Sequence, residues 1–95
     1  MEIEFQAVEN LTLENSFGTI KEEAEVVLHV TLGFHSEESG WFELYDEETG
    51  GNEWYAEGGL WFEGKELIEY DGVFALPSAI LDKLKELGYD VSYAE

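Results

Sequence analysis

Residues 41–71 read WFELYDEETGGNEWYAEGGLWFEGKELIEYD. Bulky aromatics alternate with carboxylates here, and glycines interrupt the alternation. Successive side chains of a strand point to opposite faces, so a period of two marks an extended chain with one buried side. WFELYD, residues 41–46, fits that pattern: Trp41, Glu43 and Tyr45 share one face, and Phe42, Leu44 and Asp46 the other. EETGGN follows, in which Gly50, Gly51 and Asn52 tolerate the positive φ of a turn. EWYAE, residues 53–57, returns as a strand, which predicts a hairpin with 41–46. Gly58 and Gly59 are expected to interrupt that strand as a bulge, a bend or a corner. LWFE at 60–63 resumes the extended chain, GKE at 64–66 makes a tight turn, and LIEY at 67–70 pairs back.

On the N-terminal side, AEVVLHVTLG at 24–33 puts Val26, Leu28, Val30 and Leu32 on one face and Val27, His29 and Thr31 on the other. Its β-branched residues suit a pleated surface packed on at least one side. EIEFQAV at 2–8 alternates likewise, with Ile3, Phe5 and Ala7 opposite Glu2, Glu4 and Gln6. Asn10 to Gly18 is mixed: Leu11 and Leu13 alternate briefly, then Asn15, Ser16 and Gly18 signal a turn. On the C-terminal side, PSAILDKLKELG at 77–88 changes period. Ile80, Leu81, Leu84 and Leu87 recur at helical spacing, Pro77 suits a first turn, and Gly88 suits the residue just past the end. YDVSY at 89–93 alternates again and predicts a short final strand. The expectation is a single α+β domain over 1–95, an antiparallel sheet of five to seven strands with one helix in the C-terminal half packed on it.

Composition narrows the function. The chain carries 23 Asp and Glu against 4 Lys and no Arg, a net charge of −19, yet 44% of it is apolar and 15% aromatic. A disordered acidic tail would be poor in aromatics, so the chain folds. Nucleic acid and an anionic membrane surface are excluded as direct partners, because both are held by Lys and Arg. Salt adaptation is a competing explanation of the charge, but it favours Asp and Arg, and here 19 Glu stand against 4 Asp. Without cysteine there is no disulfide framework and no thiolate site. No apolar run approaches the roughly 20 residues of a membrane span. MEIEFQAVEN lacks the basic start and apolar stretch of a signal peptide, so a cytoplasmic location is expected, in the host cell if the chain is phage-encoded.

Catalytic chemistry finds little purchase. Glu53 and Glu57 beside Trp54 and Tyr55 resemble a glycosidase pair only in residue type, and 95 residues leave little room for a sugar cleft. DEETGGNE at 46–53 gathers acids around a glycine turn but lacks the Glu that closes a twelve-residue calcium loop. His29 lacks a second His or Cys at ligand spacing and fits an ordinary strand histidine, while His35 lies in a polar loop. No enzyme activity, metal or cofactor is expected.

Charge distribution says more. Residues 37–71 hold twelve acids and one Lys, so more than half of the excess falls on the aromatic hairpins. Carboxylates at i and i+2 of a strand share a face about 7 Å apart, and rows of them present an anionic field on the scale of a nucleic-acid backbone. The expected partner is a basic protein surface of the kind that holds DNA or RNA. Glu43, Asp46, Glu47, Glu48, Glu53, Glu57, Glu63, Glu66 and Glu69 would supply the field. Most aromatics are expected in the core, with exposed members among Trp41, Tyr55 and Trp61 anchoring the contact. The alternative is a small structural or assembly module of a phage or mobile element, with a merely solvated acidic face and an open sheet edge that binds its own kind. Monomer and homodimer both remain open.

YDGVFALPSAILDKLKELGYDV, residues 70–91, resembles a recurrent ending of small phage proteins: an acidic strand, a D-G turn, L-P opening a helix, then L-G-Y and a strand. In size and acidity the whole chain is similar to anti-CRISPR proteins and DNA-mimic inhibitors. The resemblance implies a small inhibitor that binds a defence complex such as a CRISPR effector, or another nuclease, and blocks its nucleic-acid site. Such proteins share no common fold, so it implies no topology and transfers no residue roles.

Overall fold

The structure is a computed structural model and describes residues 1–14, 20–46, 54–73 and 75–95; at 9–14, 20–26, 46, 54 and 55 it describes the backbone alone. Five strands, β1 (Glu2–Glu14), β2 (Ile20–Phe34), β3 (Ser39–Asp46), β4 (Trp54–Glu63) and β5 (Glu66–Tyr70), precede a helix, α1 (Ser78–Glu86), and a short 3-10 turn at Ser92–Ala94. The sheet order is β1-β2-β3-β4-β5 and every pairing is antiparallel. The fold is thus α+β, an antiparallel meander with one helix among the described residues.

β1 and β2 run past the residues whose alternation marks them. They pair from Glu2↔Gly33 to Glu14↔Ile20, with a register shift between Leu11 and Leu13. That bulge breaks the period of two, which is why the extension reads as mixed. β4 also departs from expectation, since it runs unbroken through Gly58 and Gly59. The shifts fall elsewhere, at Tyr55 and between Trp61 and Phe62. Gly58 serves a close crossing instead: a Cβ on it would overlap the carbonyl oxygen of Asp71, and one on Gly72 (φ 87°) would overlap that of Glu57. The chain leaving β5 therefore crosses β4 backbone to backbone. The tight turn from β4 to β5 forms one residue shorter than the predicted GKE, since Glu66 already belongs to β5; φ is positive at both Gly64 and Lys65, the two-residue geometry that matches strand twist.

Helix α1 has Pro77 as its N-cap, and Lys83 and Lys85 lie in its last turn. Gly88 (φ 95°) closes it: Gly88 N–H donates to the Lys85 carbonyl at 3.0 Å and Tyr89 N–H to that of Leu84 at 2.9 Å, the paired bonds of a Schellman motif. The strand expected at 89–93 does not form. Ser92 N–H and Oγ–H both donate to Asp90 Oδ1, at 2.9 and 2.6 Å, and this local bonding bends the chain into the 3-10 turn. What survives of the pairing is an isolated parallel bridge between Glu66 and Asp90.

Antiparallel partners share a face, so the register sorts the sheet. Leu28, Val30 and Leu32 of β2, Phe42 and Leu44 of β3, Leu60 and Phe62 of β4 and Leu67 of β5 are buried together against Leu76, Ile80, Leu84 and Val91. Phe5 and Ala7 extend this layer onto β1. Tyr89 stacks on Phe34 at 5.6 Å between ring centroids and tilts against Phe62 at 4.5 Å. No described helix is long and apolar enough to cross a membrane.

The helix docks through Ile80 and Leu84, both fully buried, while Leu81 is only partly so. Leu84→Ala should lower stability by about 2–5 kcal/mol through lost transfer energy and the cavity left behind. Leu81→Ala should cost about 1 kcal/mol. Urea denaturation with unchanged slope separates them; equal losses would mean that the helix presents a different side to the sheet.

Candidate binding face

The second face of the sheet is not covered by the helix, and the pairings lay its residues out in rows. One row runs Glu2, Gly33, Trp41, Gly59 across β1 to β4. The next runs Glu4, Thr31, Glu43, Glu57, and a third holds Gln6, His29 and Tyr45. Toward β5, Ser39, Trp61 and Glu69 form a further row. Neighbouring members of a row stand about 4.5–5.5 Å apart at Cα.

Two tryptophans, Trp41 and Trp61, lie on this face. Each ring leans over a glycine. A Cβ on Gly33 would overlap the Trp41 indole, and one on Gly59 would come within 2.6 Å of the Trp61 ring. A large ring thus fills the space of the missing side chain, a device that protects a glycine in a strand. Trp41 is half-buried by this packing and Trp61 is 37% exposed.

The carboxylates meet little compensation. Glu43 faces Glu57 directly, and like charges in that position repel. Tyr45 Oη–H donates to Glu43 Oε2 at 3.1 Å, and His29 Nε2 lies 3.4 Å from Glu4 Oε1. The lysines with described side chains all sit toward the helix layer. Lys83 Nζ lies 5.0 Å from the Phe5 ring centroid and 3.1 Å from Glu86, Lys85 pairs with Glu95, and Lys65 Nζ lies 4.7 Å from the Tyr89 centroid.

Of the residues singled out in the sequence, Trp41, Glu43, Glu57, Trp61 and Glu69 come together on the open face. Glu63 and Glu66 pair at the β4–β5 hairpin tip. Asp46 pairs with Leu28, in phase with Phe42 and Leu44 rather than with Glu43. Tyr55 is the extra residue of the bulge opposite Leu44 and Tyr45. Glu47, Glu48 and Glu53 lie outside the described residues, as do most of the calcium-like loop and one half of the Glu53–Glu57 pair. Glu2 and Glu4 were not singled out, although their alternation was visible; only the register joins β1 to this face. Among the described residues no three His, Cys, Asp or Glu are grouped to hold a metal ion.

A groove of about 540 Å³ opens on this face, lined by Trp41, Trp61, Gly59, Glu43, Glu57 and Asp71, with His35, Ser39, Gly40, Phe42 and Gly58 beside them. Gly59 N–H donates to Asp71 Oδ1 at 2.6 Å and ties the end of β5 to its floor.

Tyr45 reports the local field. Desolvation raises its pKa above the ordinary phenol value, reinforced by the hydrogen bond to Glu43 and the charges of Glu43 and Glu57. A raised folded value favours the neutral phenol, so its stabilising effect is complete below about pH 10 and is lost as pH rises through the folded pKa. Glu43→Gln should move the Tyr45 midpoint back toward 10, read from its ring-carbon NMR titration; an unmoved midpoint would place the carboxylate elsewhere. Gly33→Ala should displace the Trp41 indole, seen as a shifted indole N–H resonance with unchanged overall fold. Compared with protein-family models, with curated proteins and with solved structures, the chain matches none.

Proposed function

We propose that this chain is a non-catalytic inhibitor that occupies a basic, nucleic-acid-binding surface of a host defence complex, as anti-CRISPR and DNA-mimic proteins do. The observation that carries the reading is the segregation of charge. Glu2, Glu4, Glu43, Glu57 and Glu69 share one open sheet face, while Lys65, Lys83 and Lys85 sit toward the helix layer. A cleft built for DNA or RNA is lined with Lys and Arg to neutralise phosphates. A rigid plate of carboxylates satisfies the same cations, and the half-exposed Trp61 adds an apolar anchor of the kind that dominates interface energy. Repulsion between Glu43 and Glu57 is relieved when a cation lies between them.

A second reading rests on a different feature. β1 is an edge strand of 13 residues without proline, and such an edge is a template for a further strand. On that reading the chain assembles with copies of itself in a phage or mobile-element structure. Sedimentation equilibrium distinguishes the two, since self-assembly predicts a dimer or larger species without any basic partner.

The inhibitor reading is tested against a panel of CRISPR effectors and restriction nucleases in DNA-cleavage assays. At least one should be inhibited, with an association rate that falls about tenfold or more between about 0.05 and 0.5 M salt. Glu43→Lys with Glu57→Lys should abolish that inhibition and leave the circular dichroism spectrum unchanged. Inhibition that survives both the salt and the charge reversal would defeat the proposal.

A further inference from the structure

We infer that the groove between Trp41 and Trp61 is the seat of a single arginine side chain contributed by the partner. This deepens the proposed function and rests on reading the open face as a surface for cations.

The lining defines the ligand's chemistry. Trp41 and Trp61 both line the groove, and an indole attracts a cation held over its π system. Glu43 and Glu57, side by side on β3 and β4, supply carboxylate acceptors at the same groove. Because Gly59 has no side chain, the Trp61 ring lies down over the strand at the groove, where any Cβ would meet it. Asp71 is held in place by the Gly59 N–H and adds negative charge from the β5 side. A volume of about 540 Å³ is enough for one long side chain with part of its backbone.

Three properties of guanidinium fit this lining better than those of ammonium. It is planar and stacks on an aromatic face, it is weakly hydrated and so enters a half-apolar groove readily, and its fork of N–H donors matches a carboxylate bidentately. A lysine ammonium is a compact, strongly hydrated charge that gains from the field but little from the indoles. An apolar side chain would desolvate two carboxylates with no cation to balance them, which is costly.

Hexa-arginine and hexa-lysine carry equal charge, so a field alone treats them alike. Each is titrated into the whole protein at about 0.15 M salt, where long-range attraction is screened beyond about 8 Å. Binding is followed by calorimetry and by the indole N–H resonances. Hexa-arginine should bind about tenfold more tightly than hexa-lysine and shift both the Trp41 and Trp61 signals. Trp61→Leu, which keeps apolar cover over Gly59 but removes the π face, should bring the ratio close to one with hexa-lysine affinity unchanged. Trp41→Leu provides the same reading from the other wall if Trp61→Leu fails to fold. Equal, salt-sensitive binding of both peptides would overturn the arginine seat while leaving the acidic-face proposal standing. Binding of neither peptide would overturn both.

Discussion

Everything in this fold follows from how little of the sheet one helix can cover. Helix α1 has nine residues, about 14 Å of rod at 1.5 Å per residue. Five strands side by side span roughly 20 Å between outer axes. One short rod, helped by Leu76, Tyr89 and Val91 on the chain before and after it, is enough to seal one face. The described chain offers no second layer. Each strand therefore carries its buried row on one side, and Leu28, Val30 and Leu32 of β2 with Phe42 and Leu44 of β3 are the sequence counterpart of that constraint.

A face left open by that limit still has to be kept from sticking. Edge and face protection in sheets commonly relies on inward or clustered charge. Here Glu2, Glu4, Glu43, Glu57 and Glu69 serve that end, but they do so alongside Trp41 and Trp61, which are costly to leave near water. The indoles are stabilised locally because each lies over a glycine, on Gly33 and on Gly59. The glycines would otherwise weaken their strands, so ring and glycine solve each other's problem. The result is a rigid surface in which aromatic faces and carboxylates are interleaved without any rearrangement.

The alternation of single strands was legible because a period of two is a local signal. Trp41, Glu43 and Tyr45 fall on one face from sequence and from register alike. What depends on long-range pairing was not legible. Glu4 reaches the row of Glu43 and Glu57 only through Thr31, and no local pattern states that β1 pairs with β2 in that register. Gly58 and Gly59 looked like a break because glycine signals both a bend and a close approach; the Asp71 carbonyl against Gly58 and the Trp61 ring against Gly59 decide for the approach. Tyr89, Val91 and Tyr93 alternate as a strand would, yet Ser92 bonding back to Asp90 outweighs that weak pattern. Tyr89 then joins Phe34 and Phe62, Val91 enters the core, and Tyr93 stays 59% exposed.

The charge is not spread as solubility alone would have it. Residues 72–95, which carry the helix, hold four acids and two lysines, whereas residues 37–71 hold twelve acids and one. Within the helix layer the compensation is close at hand: Lys83 beside Glu86, and Lys85 beside Glu95. Those pairs are exposed and worth little individually, so strong attraction is not what keeps the lysines there. Their placement has another consequence, because Lys83 over Phe5 and Lys65 over Tyr89 engage aromatic rings of the covered layer. The open face is thereby left unneutralised by the lysines whose side chains are described, and Glu43 and Glu57 stay opposed. A soluble fold gains nothing from an opposed pair that a single lysine in either position would relieve. On the proposed reading, that place is where a partner's cation sits.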